Sequence, residues 1–476
     1  MYNFTYSGAT SPYEHCYATP LPAPNQLTSL ETLELRYLAN QLAAAYKSVL
    51  PGCTPGVIKR ILQRPLELGI KLNHYKTSTT QSLSLRLQDA KWWRRKVIAM
   101  TDELQEHQAQ LAGELGGKTP KAVCCSNKAV VEFKKRKEYS DKSLKSQYKI
   151  KNHADGSASV FSLYDISELS KKSRLNELFL DIKALEKIAE TQGFGCAFIT
   201  LTAAPEFHSN PKHGRSTYNG STAKEANQSI HKDWKSVLDA LDNLGVGRKS
   251  GKYFGFRVVE LHDDGCPHWH ILMFFDRTER IIGTLENSLA RLYKDRGTYF
   301  QSQKRNVVRL IEKTDDTTAK PSSYIFKYIA FALGEPEVTD SNAIRYKCAI
   351  RAMGARQYAF FGVKCSMGKQ RALKAISRVD TAPLHIKRLA DELHVAKGEL
   401  DRNARQLQAR VDFLQGGADD LDLITEVTKN KYGEEVAVNR WIKHRRDGEP
   451  VQISGLCEDI KKSIRDVGAL GRPPAM

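Results

Sequence analysis

Four features are missing from this sequence, and each absence argues against a class of protein. No apolar run reaches the roughly 18 residues that a membrane-spanning helix needs. The N-terminal residues lack the basic stretch followed by an apolar stretch that is typical of a signal peptide. No GxxxxGK[ST] segment occurs, which argues against a fused helicase. The 9 cysteines form no regular framework, so we expect a reducing, cytoplasmic environment.

Positive charge is abundant instead. Lysine and arginine total 73 against 54 acidic residues, and the net charge of +19 with a pI of about 9.4 favours a polyanionic partner. Residues 92–96, Trp-Trp-Arg-Arg-Lys, interleave aromatic and basic side chains as single-strand binders do. Residues 134–151 are the most basic stretch, and Arg351 and Arg356 are further candidates for phosphate contacts. A solvated helix face would explain each cluster taken singly.

The length of 476 residues suggests two or three domains, and a hydrophobic content of 41% is enough for real cores. We predict a mainly helical, basic region over 1–185, in which residues 28–31, Thr-Ser-Leu-Glu, form a capping box that opens a helix ending near Val49. Strands alternate with helices over 186–378, and the hairpin-linked strands predict an antiparallel sheet, hence an α+β domain. A helix and a hairpin are predicted over 379–476, with the helix packed on the body of the protein.

Two histidines flank one bulky apolar residue in residues 267–274, Pro-His-Trp-His-Ile-Leu-Met-Phe, a run that predicts a strand. Successive side chains of a strand point to opposite faces, so His268 and His270 share a face and Trp269 takes the other. Two imidazoles on one rigid element supply half of a divalent-metal site. Two half-exposed histidines without a metal would leave the same pattern.

The preceding segment offers another ligand, provided that the hairpin loop has three residues. Residues 263–265, Asp-Asp-Gly, predict such a loop with the glycine in the left-handed position. That register pairs Glu260 with His268 on one face, with Cβ atoms roughly 5 Å apart. A two-residue turn would move Glu260 to the far face.

We therefore predict Glu260, His268 and His270 as metal ligands, with His262 as a further ligand or as a residue that supports one. Cys266 allows a structural zinc site of the type Cys-x-His-x-His as an alternative. That alternative lacks a fourth ligand at zinc-like spacing.

Residues 323–334 predict a helix that ends at a glycine, with apolar residues 325, 329 and 333 on a buried stripe. Tyr324 and Tyr328 are four apart and therefore lie one turn apart on one face, which Lys327 borders. A phenol with a pKa near 10 is a poor nucleophile, but a neighbouring ammonium favours the phenolate. Paired tyrosines are also common in helix cores, and the upstream His-x-His strand favours a catalytic role here.

The order of these motifs resembles that of the HUH endonucleases, the replication-initiator nickases. Their Phe-x-Thr-Leu-Thr strand, His-hydrophobe-His strand and tyrosine helix correspond to residues 198–202, 268–270 and 324–328. Within that group the sequence is most similar to the replication gene A protein family of temperate tailed phages, with support from residues 218–222, 255–260 and 354–362. The helix continues Ile-Ala-Phe-Ala after Tyr328, where that family carries a more polar turn.

The resemblance implies a central antiparallel sheet flanked by helices, and a specific chemistry. Tyr324 or Tyr328 would attack a phosphodiester of single-stranded or extruded origin DNA, leaving a 5′-phosphotyrosine and a free 3′-hydroxyl. Mg²⁺ or Mn²⁺ on His268, His270 and Glu260 would polarise the scissile phosphate. The expected partners are DNA, a host helicase and the replication machinery, with no membrane, in the cytoplasm of a bacterial host.

The sequence alone is also compatible with two other functions. A plasmid relaxase or a transposase would use the same chemistry in another setting. A basic, metal-stabilised DNA-binding protein without catalysis would share the charge and the histidines.

Overall fold

The computed structural model describes residues 24–63, 65, 70, 72, 78–152, 158–248, 250–294, 308–311, 320–323, 325, 329, 341–363, 367–376, 383–393, 402–417, 420–445 and 449–453. Helices dominate up to residue 145: α1 Pro24–Leu27, α2 Thr32–Val49, α3 Pro55–Ile61, α4 Thr80–Leu87, α5 Ala90–Leu111 and α6 Asn127–Lys145, with a 3₁₀ turn at Leu50–Gly52. The hairpin of β1 Tyr148–Asn152 and β2 Ala158–Ser162 then leads into the long helix α7 Leu163–Thr191.

The helix that ends at Val49 does not begin at the predicted capping box. Its N-cap is Glu31, whose backbone N–H donates to the Glu34 carboxylate at 2.8 Å. Thr28 instead lies in the turn that closes α1, where its carbonyl accepts from the Gln105 side chain at 3.0 Å. The prediction was wrong because Thr28 and Ser29 form the turn that closes α1, which leaves Glu31 as the residue that caps α2.

The tryptophans of residues 92–96 belong to the core of this helical layer. Trp92 and Trp93 are buried, and Trp93 stacks on Tyr46 with ring centroids 5.6 Å apart. The Trp93 indole N–H donates to the Leu87 carbonyl at 2.7 Å. Neither ring is available to stack on a nucleic-acid base, so the single-strand interpretation of this cluster is wrong for its aromatic residues.

A five-stranded antiparallel sheet forms the centre of the protein. Its order is β6-β3-β5-β4-β7, and every neighbouring pair is antiparallel. The elements of this part are β3 Gly195–Thr202, a 3₁₀ turn at Pro205–Phe207, α8 Ala223–Asn243, β4 Tyr253–Leu261, β5 Pro267–Phe275, α9 Glu279–Lys294, β6 Val308–Ile311, α10 Ser341–Met353 and β7 Tyr358–Phe361. These bounds confirm the predicted α+β class.

The two faces of this sheet are covered by different elements. Alternate residues such as Ile199, Trp269 and Ile271 point to a core shared with α8, α9 and α10. The opposite face carries Phe198 and Leu272, which pack with α7. The second face is the one that holds the histidines.

The C-terminal part contains α11 Met367–Ile376, α12 Leu384–Leu393, α13 Arg402–Asp412, a π turn at Phe413–Gly417, and a sheet of β8 Leu421–Lys429, β9 Glu435–His444 and β10 Val451–Gln452. Ile386 and Leu393 are buried in its core, as the prediction of a packed helix requires. In the described part of the chain, no helix has both the length and the apolar character to cross a membrane.

Candidate metal centre

The hairpin that joins β4 to β5 has the register predicted from the sequence. The His262 N–H donates to the Cys266 carbonyl at 2.9 Å, and Glu260 lies directly opposite His268. Gly265 has a φ of +80°, a conformation that the three-residue loop needs and that glycine adopts without strain. The local turn chemistry therefore puts a carboxylate and two imidazoles on one face of the sheet.

Three ligand atoms converge at this end of the sheet. The Glu260 Oε2 atom lies 2.7 Å from His268 Nε2 and 2.5 Å from His270 Nε2, and the two Nε2 atoms are 3.1 Å apart. Within the described residues this is the one group of three histidine, cysteine or acidic ligands whose atoms all lie within 4.8 Å of one another. Two imidazole nitrogens and one carboxylate oxygen suit a divalent cation.

The electrostatics keep Glu260 and His270 in the protonation states that a metal needs. Burial raises the pKa of Glu260, but hydrogen bonds with His268 and His270 outweigh that effect and hold the pKa at about 2. Burial lowers the pKa of His270, and contact with Glu260 offsets this only in part. At neutral pH the group therefore offers an ionised carboxylate and a neutral His270 imidazole.

Thr200 is a member of the site that the sequence reasoning did not assign. It lies opposite His270 on β3, and its Oγ1 atom is 3.2 Å from His270 Nδ1. A hydroxyl on Nδ1 holds the imidazole so that Nε2 faces Glu260, which is how metal-binding histidines are usually oriented. Alternation along the Phe-x-Thr-Leu-Thr strand would have placed Thr200 on this face, but only the pairing of β3 with β5 reveals its partner.

His262 lies beside the group but is not one of its three atoms. Its ring centroid is 4.3 Å from that of His268, and its Nε2 atom is buried without a hydrogen-bond partner among the described residues. Burial, together with the electrostatic effect of the neighbouring His268, lowers the pKa of His262 to about 3. A neutral imidazole with an unused nitrogen is compatible with either of the two predicted roles.

Among the described residues, no cysteine belongs to the group of converging ligands. Cys266 is fully buried at the end of the hairpin loop, where its N–H donates to Asp264 Oδ1 at 3.0 Å. Cys266 is absent from the described group of converging ligand atoms. The donor set therefore favours the predicted Glu260, His268 and His270 over a cysteine-containing zinc site.

The predicted nucleophiles Tyr324 and Tyr328, with Lys327, lie outside the described residues. Their neighbours Ile325 and Ile329 are helical and fully buried, as predicted for the apolar stripe. Both isoleucines pack in the core cluster that contains Phe198, Phe256 and Leu272. Leu272 follows His270 by two residues on β5, so this core and the three converging ligands share one face of the sheet.

The fold and the site together define an α+β protein with a candidate divalent-metal centre at one end of an antiparallel sheet. The sequence profile described as "Bacteriophage replication gene A protein (GPA)" matches residues 57–333, which is more than half of the chain. The chain therefore belongs to the bacteriophage replication gene A protein family.

Individual relatives agree with this membership. The chain is 26% identical over 401 residues to the "Replication protein" of Haemophilus phage HP1, covering 77% of this chain and 48% of that protein. It is 26% identical over 296 residues to the "Replication gene A protein" of Escherichia phage 186, covering 58% and 41%. A "Probable replication endonuclease from prophage-like region" of Shigella boydii is 28% identical over 254 residues, covering 52% and 30%.

The chain spans less than half the length of each of these three relatives. No solved structure matches it significantly.

Proposed function

We propose that this chain initiates phage DNA replication as a tyrosine endonuclease of the HUH type, which nicks one strand of an origin and later rejoins it. The proposal rests on one observation: the three predicted metal ligands and the neighbours of the two tyrosines lie on the same face of the sheet. Glu260, His268 and His270 converge at one end of that face, and Ile325 and Ile329, the neighbours of the two tyrosines, are buried farther along it.

The proposed reaction balances without a further reactant. The phenolic oxygen of Tyr324 or Tyr328 attacks the phosphorus, a P–O bond to tyrosine forms, and the P–O3′ bond breaks. The phenolic proton is lost and the departing 3′ oxygen gains one, so a free 3′-hydroxyl remains. The phosphotyrosine conserves the bond energy for rejoining, and the second tyrosine permits another transfer while the first link persists.

The chain's own residues supply positioning and charge, which dominate the catalysis of phosphoryl transfer. Glu260, His268 and His270 would hold Mg²⁺ or Mn²⁺, and Thr200 orients His270 for that purpose. When bound, the cation would polarise the scissile phosphate. Lys327 favours the phenolate of a neighbouring tyrosine and so raises its nucleophilicity.

The names of the relatives support replication over a plasmid relaxase or a transposase, because they refer to replication and some to a replication endonuclease. DNA is accordingly the proposed substrate, and a host helicase with the replication machinery the proposed partners. The net charge of +19 is consistent with a polyanionic substrate.

The decisive experiment uses a supercoiled plasmid that carries the cognate origin, incubated with Mg²⁺ or Mn²⁺. We expect nicked circles with covalently attached protein from the wild type and none from Tyr324→Phe/Tyr328→Phe. Tyr139→Phe, a substitution of a half-exposed tyrosine on α6, is the matched control and should behave like the wild type.

Equal nicking by the wild type and the double variant would refute the catalytic role of the tyrosines. Chelation of the metal should abolish nicking and leave most DNA binding intact. Unfolding on chelation would instead indicate a structural metal and a non-catalytic protein.

A further inference from the structure

Two arginines lie together on the sheet face opposite the metal ligands. Arg257 is directly opposite Ile271 on β5, so its side chain shares a face with Trp269 and not with the ligands. Its guanidinium lies over the Trp269 ring, 3.8 Å from the centroid. A guanidinium N–H of Arg257 donates to the carbonyl of Arg356 at 3.4 Å, in the segment that leads from α10 into β7.

This arrangement puts two positive charges close together. Arg257 is partly buried and Arg356 is exposed. Burial, together with the nearby Arg356, lowers the pKa of Arg257 to about 10, which still leaves Arg257 charged at neutral pH. Among the described residues, neither guanidinium has a carboxylate partner. An anion bound between the two side chains would relieve their repulsion.

Most of the other candidate cations differ, because they already have a carboxylate partner. The ion pairs are Lys135–Glu132 at 3.1 Å, Arg136–Asp102 at 2.8 Å, Lys137–Asp141 at 2.7 Å and Lys142–Glu138 at 2.9 Å on α6, and Arg351–Asp102 at 3.3 Å on α10. A paired cation gives up its ion pair when it binds a phosphate. Arg257 and Arg356 have none to give up, so they suit a phosphate better than the more basic α6.

Trp269 holds Arg257 in position. The indole N–H of Trp269 donates to Asn227 Oδ1 on α8 at 2.9 Å, and the ring of His231 stands edge-on to the indole with centroids 5.8 Å apart. A guanidinium that lies flat on an indole points its N–H groups along its own plane, away from the ring. Such a fork can donate to two phosphate oxygens at once.

We propose that Arg257 and Arg356 bind a backbone phosphate of the DNA at a site separate from the metal centre. The phosphate lies between the two guanidiniums and accepts hydrogen bonds from both. Because the site is on the other face of the sheet, this phosphate belongs to a DNA segment away from the scissile bond. The contact positions the DNA and reads no base, as phosphate contacts do. The inference rests on the proposed function for its ligand, the DNA.

The test measures binding of the full chain to origin DNA in EDTA, so it does not depend on nicking. Each phosphate in turn is replaced by a neutral methylphosphonate. At one phosphate away from the scissile bond, we expect the replacement to weaken binding to the wild type about tenfold, as the loss of one charge-assisted hydrogen bond does. In Arg257→Met/Arg356→Gln the unmodified DNA should bind about as weakly, and the replacement at that phosphate should have no further effect.

Two further variants make the result specific. Arg280→Gln/Arg291→Gln removes two exposed arginines from α9, is matched in charge, and should keep the methylphosphonate effect. Methionine at position 257 keeps an apolar contact with Trp269. Arg356→Gln alone changes an exposed residue, and it should reduce the methylphosphonate effect even if the substitution of Arg257 impairs folding.

Equal methylphosphonate effects in the wild type and Arg257→Met/Arg356→Gln at every phosphate would overturn the assignment. Competition by inorganic phosphate that disappears in the variant, with DNA binding unchanged, would also overturn it, because the site would then belong to a small phosphate compound. Covalent attachment to the same DNA is measured with Mg²⁺. Attachment by the wild type without an arginine-dependent phosphate refutes the site and retains the nickase. An arginine-dependent phosphate without attachment refutes the nickase and retains the site.

Discussion

Glu186 and Ser322 join the long helix α7 to the helical residues that precede the predicted tyrosines. The Glu186 carboxylate accepts from the Ser322 N–H at 3.1 Å and from its hydroxyl at 2.6 Å, and both residues are buried. Hydrogen bonds to a buried carboxylate are strong because the charge has no water to replace them. This pair therefore fixes the start of the segment 321–329 against the sheet face that carries the histidines.

Glu186→Gln should slow nicking without weakening metal binding. Loss of the charged acceptor costs about 1–3 kcal/mol of local stability, and a misplaced nucleophile lowers the rate by about tenfold or more. The measurements are the nicking rate and the affinity for Mn²⁺. Glu190→Gln, a more exposed change on the same helix, is the control. A nicking rate equal to that of the wild type would show that the pair does not position the segment.

Thr200→Val should weaken metal binding although threonine is not itself a ligand. The change removes the hydroxyl at His270 Nδ1 with little change in volume, and losses of this kind cost about 10–100-fold in metal affinity. Titration with Mn²⁺ followed by electron paramagnetic resonance measures the effect. Glu260→Gln should reduce the affinity for Mn²⁺ further. The control variant Thr191→Val, at the end of α7, should have the affinity of the wild type. Unchanged affinity in Thr200→Val would mean that the strand alone orients His270.

The tip of the β8–β9 hairpin is held on the helical layer by an ion pair whose loss should be visible in acid. Burial raises the pKa of Glu434, but hydrogen bonds with Asn430, Ser78 and Arg86 hold it at about 2. Because the pKa is lowered in the folded protein, the pair stabilises it above pH about 4.5, and this contribution fades as the pH falls to about 2.

Glu434→Gln should accordingly destabilise the protein at pH 7 by about 3–5 kcal/mol, since the buried Arg86 loses its partner. The difference in stability between the wild type and Glu434→Gln should shrink steadily as the pH falls from 4.5 to 2. Thermal unfolding at several pH values tests this, with the exposed Glu449→Gln as the control. If this difference does not change with pH, the destabilisation arises from lost packing and not from the ion pair.

Two glycine-to-alanine changes should have opposite effects. A Cβ at Gly255 would overlap the Leu272 carbonyl oxygen, so Gly255→Ala forces β4 away from β5 and should prevent folding of the sheet. Gly283 has open space around it within α9, and Gly283→Ala should raise stability by about 0.5–1 kcal/mol. Soluble yield and the unfolding midpoint measure both, and a folded, fully active Gly255→Ala would contradict the close approach of the strands.

The chain's local patterns were sufficient for the part of the site that lies on one hairpin. The Asp-Asp-Gly turn sets the register, and alternation along the strands then brings Glu260 next to His268 and His270. The buried stripe at Ile325 and Ile329 also follows from spacing alone. Turn type and side-chain periodicity depend on a few neighbouring residues, so both can be predicted directly from the sequence.

Contacts between distant segments were not predictable in the same way. Thr200 and His270 are 70 residues apart, and Glu186 and Ser322 are 136 apart. Residues 92–96 show the same limit, because their pattern fits both a nucleic-acid surface and a core. Only the stacking of Trp93 on Tyr46 decides between them.

By itself the sequence determined the class of the protein, its antiparallel hairpin and the three side chains that converge there. Tertiary structure decided which hydroxyl orients His270, which carboxylate anchors the segment before the tyrosines, and which two arginines lie together on the opposite face of the sheet. The physical reason is that burial and long-range pairing are properties of the whole packed chain, whereas turns and side-chain alternation are properties of a few neighbouring residues.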